Sequence, residues 1–355
     1  MPNTTLPPAP TIPTIEDRYS RQILFAPLGA SGQQQLAAST VAIVGCGATG
    51  AAASAMLARA GVGNLILIDR DYVEWSNLQR QLLFDESDAE AALPKAEAAR
   101  RKLAQQNSTA TITAHIDDLV PGNIESLLAP AQLILDATDN FETRYLINDY
   151  AVRESKAHPT KAWIYAAAIG AYAVTMNILP GETACLACIF PAPPTGPVET
   201  CDTAGILNSA VNLAASIEVT EAMKFLTGNH AAMRRTLLSH DLWSNQHSEV
   251  NAAHPRPNCT VCGQREFTHL SGESRPHITL CGRNSVQIHE DSRPIDFPAM
   301  AARLRPHGRV AYNELLLRFW HGEHQITLFA DGRALIQGTT DITLARTLYA
   351  RYIGC

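Results

Sequence analysis

With 355 residues, 46% of them hydrophobic and 17% charged, the chain has the length and apolar content for one large packed domain and a small one. Its formal net charge of −6 at pH 7 leaves no basic footprint to neutralise nucleic-acid phosphate, and no window approaches the roughly 18 apolar residues of a membrane-spanning helix. The expectation is a cytoplasmic protein whose partners include neither nucleic acid nor a membrane.

Residues 1–15 are rich in Pro and Thr and lack a positive segment followed by an apolar one, so they are read as a disordered tail and not as a signal peptide. In Arg18-Tyr19-Ser20-Arg21-Gln22, which follows, the arginines need be no more than solvated. A strand over 40–44 leads into Gly45-Cys46-Gly47-Ala48-Thr49-Gly50, an alanine-rich helix, and a second strand over 65–69 that closes on Asp69. In this order of elements Gly45 permits a sharp turn, Gly47 lets the backbone approach a phosphate, and Gly50 lets the helix pack close to the strand. The free N–H groups of the first helical turn can then face an anion, and Asp69 stands where a carboxylate meets ribose hydroxyls. The pattern predicts nucleotide binding without choosing among NAD, FAD and ATP. A glycine-rich turn that merely packs is the competing reading.

After Glu74-Trp75-Ser76-Asn77-Leu78-Gln79-Arg80-Gln81, Pro94 suits the first turn of a helix running to about Gln106. Lys95 near its start opposes the macrodipole unless an anion is close by. A bound phosphate would resolve that conflict, and so would a side chain pointing into water. Residues 109–116 alternate as a strand, 123–128 form a short helix, and 133–137 make the continuous apolar run of a buried parallel strand. That strand ends in Thr138-Asp139-Asn140. Ligands of an open α/β sheet lie at the carboxyl ends of its strands, which places Asp139 facing the nucleotide. The alternative is that Asp139 or Asn140 only caps the helix through Tyr150. Strands over 162–168 and 172–179 are joined by too short a link to cross over, so they are antiparallel.

Four of the eight cysteines form two C-x-x-C pairs, Cys185 with Cys188 and Cys259 with Cys262. Between them lie a proline-rich loop over 191–197 that delivers Cys201, a helix over 208–226 closed by Gly228, a strand over 235–241, and a polar stretch to Pro257. In a reducing compartment the pairs suggest metal before disulfide, and structural Zn2+ is favoured, although their separation exceeds that of a zinc ribbon. Thioredoxin-like redox activity is the rival, but neither pair opens a helix after a strand near the start of its fold. Residues 271–355 carry strands over 278–280 and 286–288, a helix over 297–304, strands over 325–329 and 334–337 turning through Asp331-Gly332, and a last helix over 344–353. They show no clustered catalytic set, so partner docking is expected of them before chemistry, the alternative being a domain that merely enlarges a dimer interface. The fold class expected is α/β: a Rossmann-like, mostly parallel sheet with an antiparallel extension and a zinc site over 16–270, plus a small α+β domain over 271–355.

Taken together, the Arg18-to-Gln22 run, the glycine loop, Ser76 to Gln81, Pro94-Lys95, Asp136 to Asn140, the paired C-x-x-C and Thr200-Cys201 resemble the ThiF/MoeB family, bacterial relatives of ubiquitin-activating E1 enzymes, over about residues 16–267. The resemblance implies ATP-dependent adenylation of the C-terminal glycine of a small β-grasp sulfur-carrier or ubiquitin-like protein ending in Gly-Gly. It implies that Asp69 holds the ribose, that Asn77, Arg80 and Lys95 hold phosphates, and that Asp139 coordinates Mg2+. The arginine matching Arg21 reaches the active site of a partner subunit in the family, which implies a homodimer. Cys201 matches a position that carries a thioester, acyl disulfide or persulfide in some relatives and is unused in others. The tail departs from relatives that end in a rhodanese, because Cys281 and Cys355 do not supply a mid-domain cysteine in an anion-binding loop. The rival readings are an NAD-dependent dehydrogenase, which has no use for Arg80, Lys95 and Asp139 as a phosphate and magnesium set, and a non-catalytic E1-like scaffold that binds a β-grasp partner.

Overall fold

The computed structural model describes residues 15–155, 161–193, 201–271, 279–280, 284–288 and 294–354. Eight strands form the first sheet: β1 (Thr40–Val44), β2 (Asn64–Ile68), β3 (Thr111–His115), β4 (Leu133–Asp136), β5 (Ala162–Ile169), β6 (Tyr172–Ile178), β7 (Thr236–Asp241) and β8 (Gln246–Asn251). Their order is β3-β2-β1-β4-β5-β6-β7-β8, parallel from β3 through β5 and antiparallel from β5 onward. The antiparallel step is the tight turn at Gly170, which has a φ of 57°. Strands β1, β2 and β4 are nearly continuous apolar runs because helices cover both faces of the sheet. One face packs on the helices Ala48–Ala60, Lys95–Gln106 and Asn208–Leu226. The other packs on Ile124–Leu128, Phe141–Glu154 and the cysteine-bearing segments.

Between β1 and β4 the chain order reverses, which is the switch point where doubly wound sheets bind ligands. The loop after β1 has no room for side chains at two points. A Cβ on Gly45, whose φ is 92°, would lie 2.7 Å from the Ala137 carbonyl oxygen, and one on Gly50 would collide with the Gly45 carbonyl.

A second sheet has the order β11-β12-β13-β14-β10-β9, with β9 (Thr279–Leu280), β10 (Ser285–Ile288), β11 (Arg309–Tyr312), β12 (Leu316–His321), β13 (His324–Phe329) and β14 (Ala334–Gln337). The Asp331-Gly332 turn joins β13 to β14 as expected, with Gly332 at a φ of 90°. Alternate residues of these strands face opposite ways. Leu317, Leu328 and Ile336 pack with the helices Phe297–Leu304 and Ile342–Tyr352, whereas Leu316, Phe329 and Leu335 pack on Tyr72 and Ala92 of the first unit.

The structure corrects the sequence reading at three strands. The polar stretch before Pro257 contains β8, and β11 and β12 were not anticipated. Every residue of β8 is exposed, so it pairs through its backbone and shows no apolar period. Among the described residues no helix is long and apolar enough to cross a membrane.

Candidate functional site

The candidate nucleotide residues converge on the carboxyl ends of β1, β2 and β4. Helix Ala48–Ala60 starts at Gly47 without a side-chain cap, so the N–H groups of its first turn are left to another acceptor. A Cβ on Gly47 would meet nothing nearer than the Gln81 amide nitrogen at 3.8 Å. Gly45 and Gly50 are thus glycines because the protein leaves no room, whereas the space beside Gly47 is open. That is the cradle a phosphate needs.

Asp69 ends β2 and is buried. Its Oδ2 accepts from the Cys46 N–H at 2.6 Å and its Oδ1 from the Asp71 N–H at 2.7 Å. Burial raises its pKa, against which the Lys95 charge pulls. The Cys46 thiol is buried in the glycine loop, and burial, then the Asp69 charge, push its pKa well up, so it is no nucleophile.

Lys95 is only 2% exposed, which overturns the reading of a lysine pointing into water. Its N–H donates to the Asp71 carbonyl at 2.8 Å, and its Nζ lies 3.2 Å from Asp71 Oδ2. The anion that steadies this cation at a helix start is therefore Asp71, which the sequence reading missed. The run Asp69-Arg70-Asp71 at a strand end was the available signal. Asn77 is buried in the short turn Trp75–Asn77, where its Oδ1 accepts from the Glu74 N–H at 3.1 Å. Arg80, half-buried, folds back so that a guanidinium nitrogen donates to the Ser76 carbonyl at 2.9 Å.

The two readings of Thr138-Asp139-Asn140 separate cleanly. Asn140 is the cap of helix Phe141–Glu154, its Oδ1 accepting from the Thr143 N–H at 2.9 Å. Asp139 is exposed, and its charge is felt by Arg70 and Asp136. Asp136 is fully buried. Its Oδ1 accepts from the Thr138 N–H and hydroxyl at 3.0 and 2.6 Å, while Arg144 lies 3.6 Å from Oδ2 and donates to the Thr138 carbonyl at 2.6 Å. Burial raises the Asp136 pKa despite Arg144. Asp136 and Arg144, both missed as part of the site, thus hold the loop that presents Asp139.

Arg21 is exposed in the last turn of helix Ile15–Ile23, away from the glycine loop in sequence and on the surface. Cys201 opens the short helix Cys201–Ala204, and its side chain lies outside the described residues, as do Thr200, Cys281 and Cys355.

The two C-x-x-C pairs meet. The sulfurs of Cys185, Cys188, Cys259 and Cys262 all lie within 4.8 Å of one another, with separations of 3.8 Å (185 to 188), 3.6 Å (185 to 259) and 3.3 Å (188 to 262). Four thiolates about 2.3 Å from a tetrahedral Zn2+ would stand about 3.8 Å apart, so the donor set and its spacing fit that ion. The Arg256 N–H donates to Cys188 Sγ at 3.3 Å, and Asn148 Oδ1 accepts from the Leu186 N–H at 2.8 Å to hold the first pair. A Cβ on Gly263 would strike the Pro257 carbonyl, which explains the glycine after Cys262.

The model of the ThiF family matches residues 19–261. The chain is 46% identical to the sulfur carrier protein ThiS adenylyltransferase of Bacillus subtilis over 341 residues, covering 95% of this chain and 99% of that one. It is 36% identical to the SAMP-activating enzyme E1 of Haloferax volcanii over 252 residues, covering 70% of this chain and 89% of that one. The crystal structure of E. coli MccB with ATP superposes with a TM-score of 0.59 at 26% identity, over 69% of this chain and 74% of that one.

Proposed function

Because the chain belongs to the ThiF family, we propose that it is an adenylyltransferase that uses ATP to activate the C-terminal glycine of a small sulfur-carrier or ubiquitin-like protein. The observation that carries this reading is the convergence at one edge of the parallel sheet of an uncapped helix start with open space beside Gly47, the buried Lys95, and the exposed Asp139. A dehydrogenase would need the first of these and not the other two. The carrier is expected to be a β-grasp protein ending in Gly-Gly, as the resemblance to the family implies.

A carboxylate is a poor electrophile until a good leaving group is attached. In the reaction proposed, a carrier carboxylate oxygen attacks the α-phosphorus of ATP, the bond from that phosphorus to the bridging oxygen breaks, and pyrophosphate leaves with the electron pair. The residues supply position and charge, which is most of what such a transfer requires. The helix N–H groups beside Gly47 and the side chains of Asn77, Arg80 and Lys95 take the phosphates, and Asp69 takes the ribose through lone pairs left over from its two backbone bonds. Asn140 supports the site as a cap. Asp139 would hold Mg2+, which neutralises phosphate charge when bound. Arg21, exposed near the chain start, is proposed to complete the site of a second copy in a homodimer. Cys201 is proposed as a downstream acceptor, its thiolate displacing AMP from the acyl-adenylate to give a thioester. The four clustered cysteines would hold Zn2+ as a structural clip. Cysteines outside disulfides in that number suit a reducing, cytoplasmic setting.

The test is exchange of labelled pyrophosphate into ATP by the purified chain with a Gly-Gly-ended carrier. Exchange that requires the carrier is expected, and its absence with an authenticated carrier overturns the reading.

A further inference from the structure

The second sheet reaches into the nucleotide side of the first through contacts that none of these roles uses. Tyr72 is buried, and its hydroxyl is a hub that donates to Gln337 Oε1 at 3.2 Å and accepts from Gln325 Nε2 at 2.9 Å. Gln337 gives its own amide to Glu74 Oε1 at 3.3 Å. Glu74 is the residue whose N–H donates to Asn77 Oδ1. One position before Tyr72, Asp71 holds Lys95 through its carbonyl and its carboxylate. Arg333, 2% exposed and lying over the Phe329 ring at 3.7 Å, donates to the carbonyls of Arg70 and Ile116 at 2.9 and 3.2 Å. Those carbonyls lie just past the carboxyl ends of β2 and β3.

Residues 70–94 need such support. Their regular structure is a bridge between Tyr72 and Pro94, the Trp75–Asn77 turn and the helix Glu86–Glu90, so no strand ladder or long helix fixes their path. Part of what fixes it is the main core of the first unit, which takes Val73, Leu83, Phe84 and Ala89. The rest comes from the second unit, through an apolar contact of Tyr72 and Ala92 with Leu316, Phe329 and Leu335 and the polar contacts just described. Buried side chains that donate to backbone carbonyls set position more than they add affinity between units, because each bond is lost if the segment shifts by an ångström.

We propose that the six-stranded sheet is a brace for the nucleotide site, with Tyr72, Gln337 and Arg333 as positioning residues that hold the segment bearing Asp71, Asn77 and Arg80 in its phosphate-facing path. The assignment of phosphates to that segment rests on the adenylation reading, but the mechanical part of the proposal does not.

Two measurements on the full-length chain separate them. In Tyr72→Phe and Gln337→Leu, amide hydrogen exchange over residues 73–81 without nucleotide should quicken about three- to tenfold, as expected for loss of one buried hydrogen bond, while β1 and β4 exchange at the wild-type rate. Equilibrium dialysis with Mg-ATP should show the dissociation constant rising by a similar factor. Tyr349→Phe is the control, since it removes a buried hydroxyl bond to the Gly332 carbonyl inside the second unit without touching the contact. It should leave exchange over 73–81 and ATP affinity at wild-type values. Wild-type exchange in both contact variants overturns the brace, and so does an equal weakening of ATP by Tyr349→Phe. A wild-type chain that binds no ATP counts against the adenylation reading, while the exchange rates still decide the brace.

Discussion

Asp139 stands one position ahead of the cap of helix Phe141–Glu154, and the division of labour between it and Asn140 sets what each substitution should do. Asp139 is exposed and caps nothing, so Asp139→Ala should abolish pyrophosphate exchange while leaving the unfolding midpoint where it was. Normal exchange in that variant removes Asp139 from the mechanism. Asn140→Ala should do the reverse, costing about 1 kcal/mol of stability through the lost cap with exchange reduced far less. Lys95→Met keeps the length of a buried side chain and removes its charge, and with it the 3.2 Å ion pair to Asp71. ATP binding should then weaken by at least tenfold, as expected for loss of a charge-assisted contact. At this scale the glycine loop, Asp69 and Asp139 could be placed at strand ends from local spacing, while the pattern at Lys95 left an anion and water open. Asp71 left only the hint of the Asp69-Arg70-Asp71 run, and Asp136 and Arg144 left none, because their importance lies in through-space contacts. So does that of Glu218, a carboxyl fully buried in helix Asn208–Leu226 whose pKa is pushed well up first by burial and then by Asp136.

Four helices were legible to within a few residues, since Ala48–Ala60, Lys95–Gln106, Asn208–Leu226 and Phe297–Leu304 each carry an apolar or alanine face and a usable stop, whereas Ile15–Ile23 and Glu86–Glu90 were not read. The parallel strands were legible from their apolar runs, whereas β12 was missed although Leu316, Leu317 and Phe319 are buried. The solvent-facing edge β8 hid because hydrogen bonding to β7 asks nothing of its side chains. Helix Phe141–Glu154 also carries a pH-dependent load. Asp149, fully buried, accepts from the His269 N–H at 3.0 Å and so ties the helix to the segment after the second cysteine pair. Burial pushes its carboxyl up to about 7, against two backbone N–H groups that pull it down. The folded protein therefore keeps a proton that the unfolded chain sheds near 3.8, and the stability contributed by this group falls as pH rises between those values. Urea titrations from pH 4 to pH 7 should show wild type losing on the order of 1–4 kcal/mol relative to Asp149→Asn. Parallel curves for the two proteins would show that Asp149 stays ionised.

For the whole molecule, the dimer proposed through Arg21 predicts complementation. Mixing Arg21→Ala chains with Asp139→Ala chains should restore part of the exchange activity, because some hybrid dimers hold one intact composite site. Silence from well-mixed dimers would place Arg21 within its own subunit or outside the mechanism. The second sheet was legible as a small α+β unit. That its inner face is committed to Tyr72, Ala92 and Arg70 could not be read from apolar alternation, which marks a buried face without saying what buries it. Under the brace, truncating the chain before this unit is expected to weaken ATP binding, whereas a unit used only for docking would leave it unchanged. The cysteine cluster has a consequence in time. Cys185 and Cys188 find their partners 74 positions downstream, so at roughly 5–20 residues per second a growing chain carries that pair unmatched for about 4–15 s. If the four cysteines hold Zn2+ as proposed, the cluster is a test of completeness: a chain released before residue 259 keeps a dithiol open to an alkylating reagent, and one finished past residue 262 can close it around the ion.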